Sequence, residues 1–102
     1  MIGLIEDNRS TIEGLCKKYG VVRLDVFGSA AAGGFDFQTS DLDFLVEFEP
    51  RQPGPLADAY FGLLSELERV FQRSIDLVTP GAIRNPYFRR GIDETRRMLY
   101  AA

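Results

Sequence analysis

Residues 21–48 read VVRLDVFGSAAAGGFDFQTSDLDFLVEF, and this stretch decides the fold. Its first seven residues are β-rich with alternating apolar side chains, which predicts a first strand over residues 21–27. The small-residue run that follows predicts a turn that can open into a short helix through its alanines. Residues 42–48 alternate again and predict a second strand. The apolar positions assigned to the inner faces of the two strands are Val22, Leu24, Val26, Leu42, Phe44, Val46 and Phe48.

The segments on either side of this stretch predict helices and one more strand. Apolar residues at helical spacing predict a first helix over residues 3–19, and a strongly amphipathic pattern predicts a long helix over residues 56–71. Residues 74–78 predict a third strand, and Asn85-Pro86 supplies a cap and a first turn for a last helix. The stripe of that last helix carries Phe88, Ile92, Thr95 and Leu99. The order α-β-turn-β-α-β-α predicts an α/β (α+β) fold, a small mixed sheet of three or more strands packed by helices.

Length and composition narrow the classes of function. A chain of 102 residues predicts a single domain over residues 1–102. With 15 acidic and 12 basic residues the net charge is −3, which argues against direct nucleic-acid binding. The absence of histidine excludes a Ser-His-Asp triad and a His-ligated zinc site. The lone Cys16 predicts core packing and a reducing, cytoplasmic setting, and no stretch predicts a signal peptide or a membrane span.

Three acids and one turn form a candidate site. Asp41 and Asp43 are two residues apart on the second strand, so both carboxylates leave one face, roughly 6.5–7 Å apart at Cα. Such a pair can hold Mg²⁺, and without a metal it would raise the pKa of one carboxyl. Asp76 on the third strand can complete a two-metal site that activates a hydroxyl and stabilises departing pyrophosphate. The Gly28-Ser29 turn brings backbone amides near an anion such as a phosphate chain.

Each feature alone has a simpler explanation. A single Asp-x-Asp pair is most often a solvated strand end, and most Gly-Ser pairs are only turns. Asp76 by itself fits an exposed strand residue or the partner of an arginine. All three acids, however, lie on the polar faces of strands whose other faces are apolar. This shared direction favours one common surface for the acids and the turn.

These residues also resemble a known family. Phe27-Gly28-Ser29, an eleven-residue gap and then Asp41-Leu42-Asp43-Phe44 resemble the signature of the DNA polymerase beta-type nucleotidyltransferase superfamily. The match is closest to its minimal nucleotidyltransferase (MNT) branch and extends over nearly the whole chain. The resemblance implies the nucleotidyltransferase fold, with ATP as substrate and two Mg²⁺ ions as cofactors.

The resemblance further implies a role for each motif residue. Gly28 and Ser29 would bind the triphosphate, and Asp41 and Asp43 would bind metal. Asp76 would bind metal or act as base toward the acceptor hydroxyl. These are the residues of the expected site.

Known MNT proteins are antitoxins of HEPN-domain ribonuclease toxins and transfer AMP from ATP to a tyrosine of the toxin. The resemblance therefore implies a cytoplasmic toxin–antitoxin pair and a hetero-oligomer. Many relatives carry bulky or basic residues where this turn has Ala30 and Ala32, and the gap before the acids is one residue longer than the commonest spacing. Two alternatives stay open: a non-catalytic antitoxin or adaptor that acts by binding, and nucleotidyl transfer to a small molecule such as an aminoglycoside.

Two further groups have competing interpretations. Phe35 and Phe37, in the loop between the motifs, fit either stacking on a base or partner or packing under the loop. The basic residues of the last segment fit either a rim for the triphosphate or a solvated helix face. They are Arg84, Arg89, Arg90, Arg96 and Arg97.

Overall fold

The structure, a computed structural model, describes residues 3–36, 38, 40–52 and 54–102, so Phe37 lies outside the described residues. Two helices come first, and strands and helices then alternate along the chain, with a 3₁₀ turn at Pro80–Ala82 after the third strand. The helices are α1 (Gly3–Glu6), α2 (Arg9–Lys18), α3 (Ser29–Ala32), α4 (Leu56–Phe71) and α5 (Pro86–Thr95). The strands are β1 (Val21–Phe27), β2 (Leu42–Phe48), β3 (Ile75–Val78) and β4 (Arg97–Ala101).

The four strands form one mixed sheet in the order β3-β2-β1-β4, which confirms the predicted fold class. β1 pairs antiparallel with β2 and β4, whereas β2 and β3 run parallel. The main core lies between one face of the sheet and the helices α2 and α4. Its largest fully buried side chains include Ile5, Ile12, Leu24, Phe44, Leu63 and Leu67. None of the helices in the described part of the chain has the length and apolar character that a bilayer crossing requires.

The predicted first helix is interrupted at Asp7 and Asn8. The Asn8 side-chain amide donates to the carbonyl of Leu4 at 2.9 Å, and the Asn8 backbone lies at φ −110°, ψ 13°. A short polar side chain that bonds to nearby backbone competes with the helical pattern. The prediction of one continuous helix over residues 3–19 is therefore wrong, although its inward face, Ile5, Ile12 and Cys16, is buried as expected.

The predicted last helix also ends early, at Thr95. Its predicted start is confirmed, because the Asn85 side chain accepts hydrogen bonds from the amides of Tyr87 and Phe88. Leu99 was assigned to the helix stripe but lies in β4, where it is 4% exposed within the main core. Pairing with the edge of β1 overrides the helical spacing, since it satisfies the backbone groups of both strands.

Helix α5 packs on the second face of the sheet. The sequence predicted the helix but not this placement. Leu45, assigned to the polar face of β2, is 5% exposed and packs with Phe27 and Ile92. α5 has only one buried residue, Ile92, so its apolar contact with the sheet is narrow.

A buried ion pair next to α5 strengthens this attachment. Asp25 of β1 is fully buried, and its Oδ2 lies 2.6 Å from Nη2 of Arg96, the residue after α5. Asp25 Oδ1 also accepts a hydrogen bond from Nε of Arg23 at 3.0 Å. Arg96 in addition pairs with Asp93 at 3.1 Å. Its ion pairs within the protein give this arginine a structural role, which neither the triphosphate rim nor the solvated helix face predicted.

We expect Arg96→Ala to lower the free energy of unfolding by about 3 kcal/mol, because it leaves a buried carboxylate with only Arg23 as partner. Chemical denaturation measures this change. Arg97→Ala is the matched control, since Arg97 is exposed in β4, and we expect it to change stability by less than about 0.5 kcal/mol. Equal effects of the two substitutions would contradict the structural role of the buried pair.

Candidate functional site

The parallel pairing of β2 and β3 brings two of the predicted acids together. Asp43 is the register partner of Asp76, so the two side chains leave the same face of the sheet side by side. Their carboxyl groups share a hydrogen bond. Asp41 lies one residue before β2 and is exposed, and its charge reaches Asp43. The structure therefore clusters Asp43 with Asp76 and leaves Asp41 at the margin.

The environment of Asp43 raises its pKa to about 7, from the ordinary 3.8. Burial is the largest cause, followed by the hydrogen bond with Asp76 and by the negative charges of Asp76 and Asp41. The Asp43 carboxyl therefore keeps a proton close to neutral pH. A cation at this position would take the place of that proton, because it removes the repulsion between the carboxylates.

Gly28 fits tightly against this acid pair. Its backbone has φ 71° and ψ −149°, a region that L side chains rarely adopt. A Cβ atom at position 28 would also lie 2.5 Å from Oδ2 of Asp43. The sequence predicts glycine here for close approach to an anion. The structure shows that the nearest anionic group is the carboxylate of Asp43.

The amide of Gly28 already has a partner inside the protein. It donates to the hydroxyl of Thr95 at 2.9 Å, and that hydroxyl donates in turn to the carbonyl of Gly91 at 3.0 Å. The amides of Ser29 and Ala30, at the start of α3, have no acceptor in the part of the chain that the structure describes. Ser29 is half-buried whereas Ala30 is buried in the main core, so of these two amides only that of Ser29 belongs to a residue that solvent reaches.

The sequence does not reveal Thr95 as part of the site. Thr95 was assigned to the stripe of the last helix because of its spacing, which says nothing about a contact with Gly28 far away in the chain. Its hydrogen bond forms only because α5 returns across the end of β1.

The donor chemistry of the acids fits a hard cation. No group of three or more acidic or thiol side chains within residues 3–36, 38, 40–52 and 54–102 forms a ready-made metal cage. Mg²⁺ commonly uses one or two protein carboxylates and takes its other ligands from water and substrate phosphates. The paired carboxylates of Asp43 and Asp76, with the raised pKa of Asp43, suit that mode of binding.

A cavity of about 300 Å³ opens beside the acids. It lies between the end of β1 and α5, and its walls include Gly28, Asp43 and Phe88. A larger cavity of about 520 Å³ lies near the far end of β2, against the start of α4 and Thr79–Gly81. Its described walls include none of the predicted site residues. The smaller cavity is therefore the one that belongs to the candidate site.

The structure also places Phe35 of the loop between the motifs and the arginines of the last segment. Phe35 is half-buried against the main core and lies 5.3 Å from the guanidinium carbon of Arg73, which favours packing over stacking on a ligand. The exposed arginines of the last segment are Arg84, Arg89, Arg90 and Arg97. Their role as a rim for a triphosphate stays a prediction.

Known proteins resemble this chain in sequence and in fold. Residues 9–99 match the family model described as nucleotidyltransferase domain. A protein of Methanocaldococcus jannaschii named "Putative protein adenylyltransferase" is 36% identical over 77 residues, which cover 76% of this chain and 75% of the relative. A solved structure described as "putative minimal nucleotidyltransferase" has a TM-score of 0.74 and 30% identity, and the match covers 94% of this chain and 95% of that one.

A more distant structural neighbour resembles the chain in fold alone. It belongs to a complex of a tri-AMPylated Shewanella oneidensis HEPN toxin with an MNT antitoxin. Its TM-score is 0.63 at 17% identity, and the match covers 95% of this chain and 72% of that one.

We expect Asp43→Asn to stabilise the metal-free domain above pH 7 by about 1 kcal/mol, a value discounted for the partial exposure of the group. The folded-state pKa of Asp43 is raised, so the native state binds the proton more tightly than the unfolded state does. Stability is therefore lost as pH rises from about 4 to about 7, and the amide removes this loss. Denaturation at pH 4 and pH 8 in the presence of a chelator measures the difference.

Asp7→Asn provides the control, since Asp7 is exposed between α1 and α2. We expect its pH profile to follow that of the wild type. If the Asp43→Asn profile also follows the wild type, the electrostatic strain between the acids is absent.

Proposed function

The chain belongs to the nucleotidyltransferase family and is a nucleotidyltransferase, and from this premise we propose that it transfers AMP from MgATP to a hydroxyl of a partner protein. The proposed acceptor is a tyrosine of a HEPN-type toxin, for which this chain is the antitoxin. The single observation that carries the proposal is the pair of neighbouring carboxylates at the register partners Asp43 and Asp76, with Asp43 packed against the turn at Gly28.

We assign each site residue from its position. Asp43 and Asp76, which lie together, would hold Mg²⁺, and Asp41 at the margin of the pair would add its carboxylate when the ion is bound, since carboxylate oxygens are the ligands that this ion prefers. The amide of Ser29, which has no acceptor among the described residues, would bind the phosphate chain. Gly28 would contribute through its shape, because its own amide is taken up by Thr95.

The proposed reaction is a displacement at the α-phosphorus of ATP. The acceptor oxygen forms a bond to the α-phosphorus of ATP, and the bond from that phosphorus to the bridging oxygen breaks, which releases pyrophosphate. The proton of the acceptor hydroxyl passes to a carboxylate oxygen of Asp76. This residue is exposed in β3, the edge strand next to β2. Bound Mg²⁺ would supply Lewis acidity toward the hydroxyl and neutralise the pyrophosphate charge.

The relatives support a protein as the acceptor. The name of the Methanocaldococcus protein specifies adenylyl transfer to protein, and the distant structural neighbour comes from a complex with an AMPylated toxin. Asp76 is exposed, so a macromolecular surface can approach its carboxylate. These points favour a protein hydroxyl over a small-molecule acceptor.

Transfer of radioactive label tests the proposal. We expect label from [α-³²P]ATP, and none from [γ-³²P]ATP, to appear on the product of the adjacent gene when wild-type protein and Mg²⁺ are present. The double variant Asp41→Asn/Asp43→Asn should transfer label at least about 100-fold more slowly, because it loses metal ligands. Tandem mass spectrometry locates the modified residue.

The double variant Asp7→Asn/Asp58→Asn removes two exposed carboxylates elsewhere and is the matched control for net charge. We expect it to transfer label at the wild-type rate. Neutralisation of the partner without any label transfer would instead assign a binding-only antitoxin. Label on an added aminoglycoside but not on the protein partner would assign a small-molecule transferase.

A further inference from the structure

The cavity beside Asp43 adjoins the proposed phosphate site, because Gly28 lines the cavity and directly precedes Ser29. The opposite wall is formed by α5 through Phe88 and Gly91. Its volume, about 300 Å³, lies at the lower end of the range of small-molecule pockets. A group attached to a phosphate chain at the turn would therefore reach this space directly.

The walls of the cavity are almost wholly apolar and include aromatic rings. The rings of Phe27 and Phe88 lie with their centroids 6.2 Å apart at 75°, an edge-to-face arrangement. Phe88 is 47% exposed although it is a large apolar residue, and Ile92 behind it is buried. An exposed aromatic ring such as that of Phe88 stabilises another planar ring by stacking.

The polar groups around the cavity are already occupied within the protein. The Thr95 hydroxyl bonds to the amide of Gly28 and to the carbonyl of Gly91, and the Asp43 carboxyl bonds to Asp76. The cavity therefore favours a ligand that presents ring faces.

Two reactants of the proposed function carry a ring, the nucleoside triphosphate and the acceptor tyrosine, and the position of the cavity favours the first. In the sheet, β3 with Asp76 lies on one side of β2, and β1 with its turn lies on the other. Under the proposed function, Asp76 takes the proton of the acceptor, so the acceptor approaches from the β3 side. The cavity lies on the side of the turn, where the phosphate chain begins.

We infer that this cavity binds the base of the nucleoside triphosphate, with Phe88 and Gly91 as the residues that shape its binding site. The inference rests on the proposed function, because it takes the phosphate chain to lie at the turn. A Cβ atom at position 91 would meet nothing within 4 Å, so the space next to α5 is open. A larger residue at this position would occupy the room that the base requires.

Calorimetric titration of Gly91→Leu tests the inference, with MgATP and with Mg²⁺ and inorganic tripolyphosphate as separate probes. Leucine favours the helix more than glycine does, so the variant is expected to fold. We expect the affinity for MgATP to fall at least tenfold and the affinity for tripolyphosphate to stay unchanged. Gly14→Leu is the matched control, because Gly14 is exposed in α2 and a Cβ there also meets nothing within 4 Å.

Three results would overturn the inference, and they are distinguishable. Unchanged MgATP affinity in Gly91→Leu, with normal binding by the wild type, removes the base from this cavity and leaves the proposed function intact. Unchanged MgATP affinity together with lost transfer to the partner would assign the cavity to the acceptor. Failure of the wild type to bind either probe would remove the proposed function as well.

Discussion

The register between β2 and β3 is the constraint on which the site depends. Leu42 pairs with Ile75 and Phe44 with Leu77, and all four side chains are buried in the main core. The positions between them, Asp43 and Asp76, must then share the opposite face. A slip of one residue would place the acids in the core and expose the apolar set. The apolar face therefore imposes the contact between two carboxyl groups that would otherwise repel each other.

The contact between these acids carries an energetic cost that the rest of the fold offsets. The raised pKa of Asp43 means that ionising this carboxyl opposes folding at neutral pH. The left-handed backbone of Gly28 adds a conformation that almost no other residue could adopt. Unfavourable charge and unusual backbone conformation that occur together at the ends of neighbouring strands are typical of sites that bind a cation or another ligand.

Two neighbouring residues at the end of α5 fix the position of β1 and of the turn that follows it. Thr95 bonds to the amide of Gly28, and Arg96 pairs with the buried Asp25 of β1. Because Ile92 is the one buried residue of α5, apolar burial alone secures this helix weakly. The polar contacts fix where α5 ends, and through Gly28 they fix the turn against the carboxyl of Asp43.

The same particulars show what the sequence could and could not predict. Strands β1 and β2 and helix α4 have long, regular patterns, and their observed bounds agree with the predicted ones. Leu99 was misplaced because it follows Thr95 at helical spacing, whereas the alternation in β4 covers only five residues. Contacts between distant positions, such as Asp25 with Arg96, leave no local pattern, so they emerge only when α5 and β4 return to β1.

The alanines of the turn illustrate how packing limits the chemistry of the proposed site. Ala30 is 1% exposed within the main core, so a bulky or basic side chain would not fit at this position in this fold. Ala32 is exposed, and an arginine there would meet solvent. The turn therefore lacks a guanidinium for the phosphates. Under the proposed function, recognition of the triphosphate by this turn would rest on the amide of Ser29 and on a bound cation, so nucleotide affinity would depend strongly on Mg²⁺.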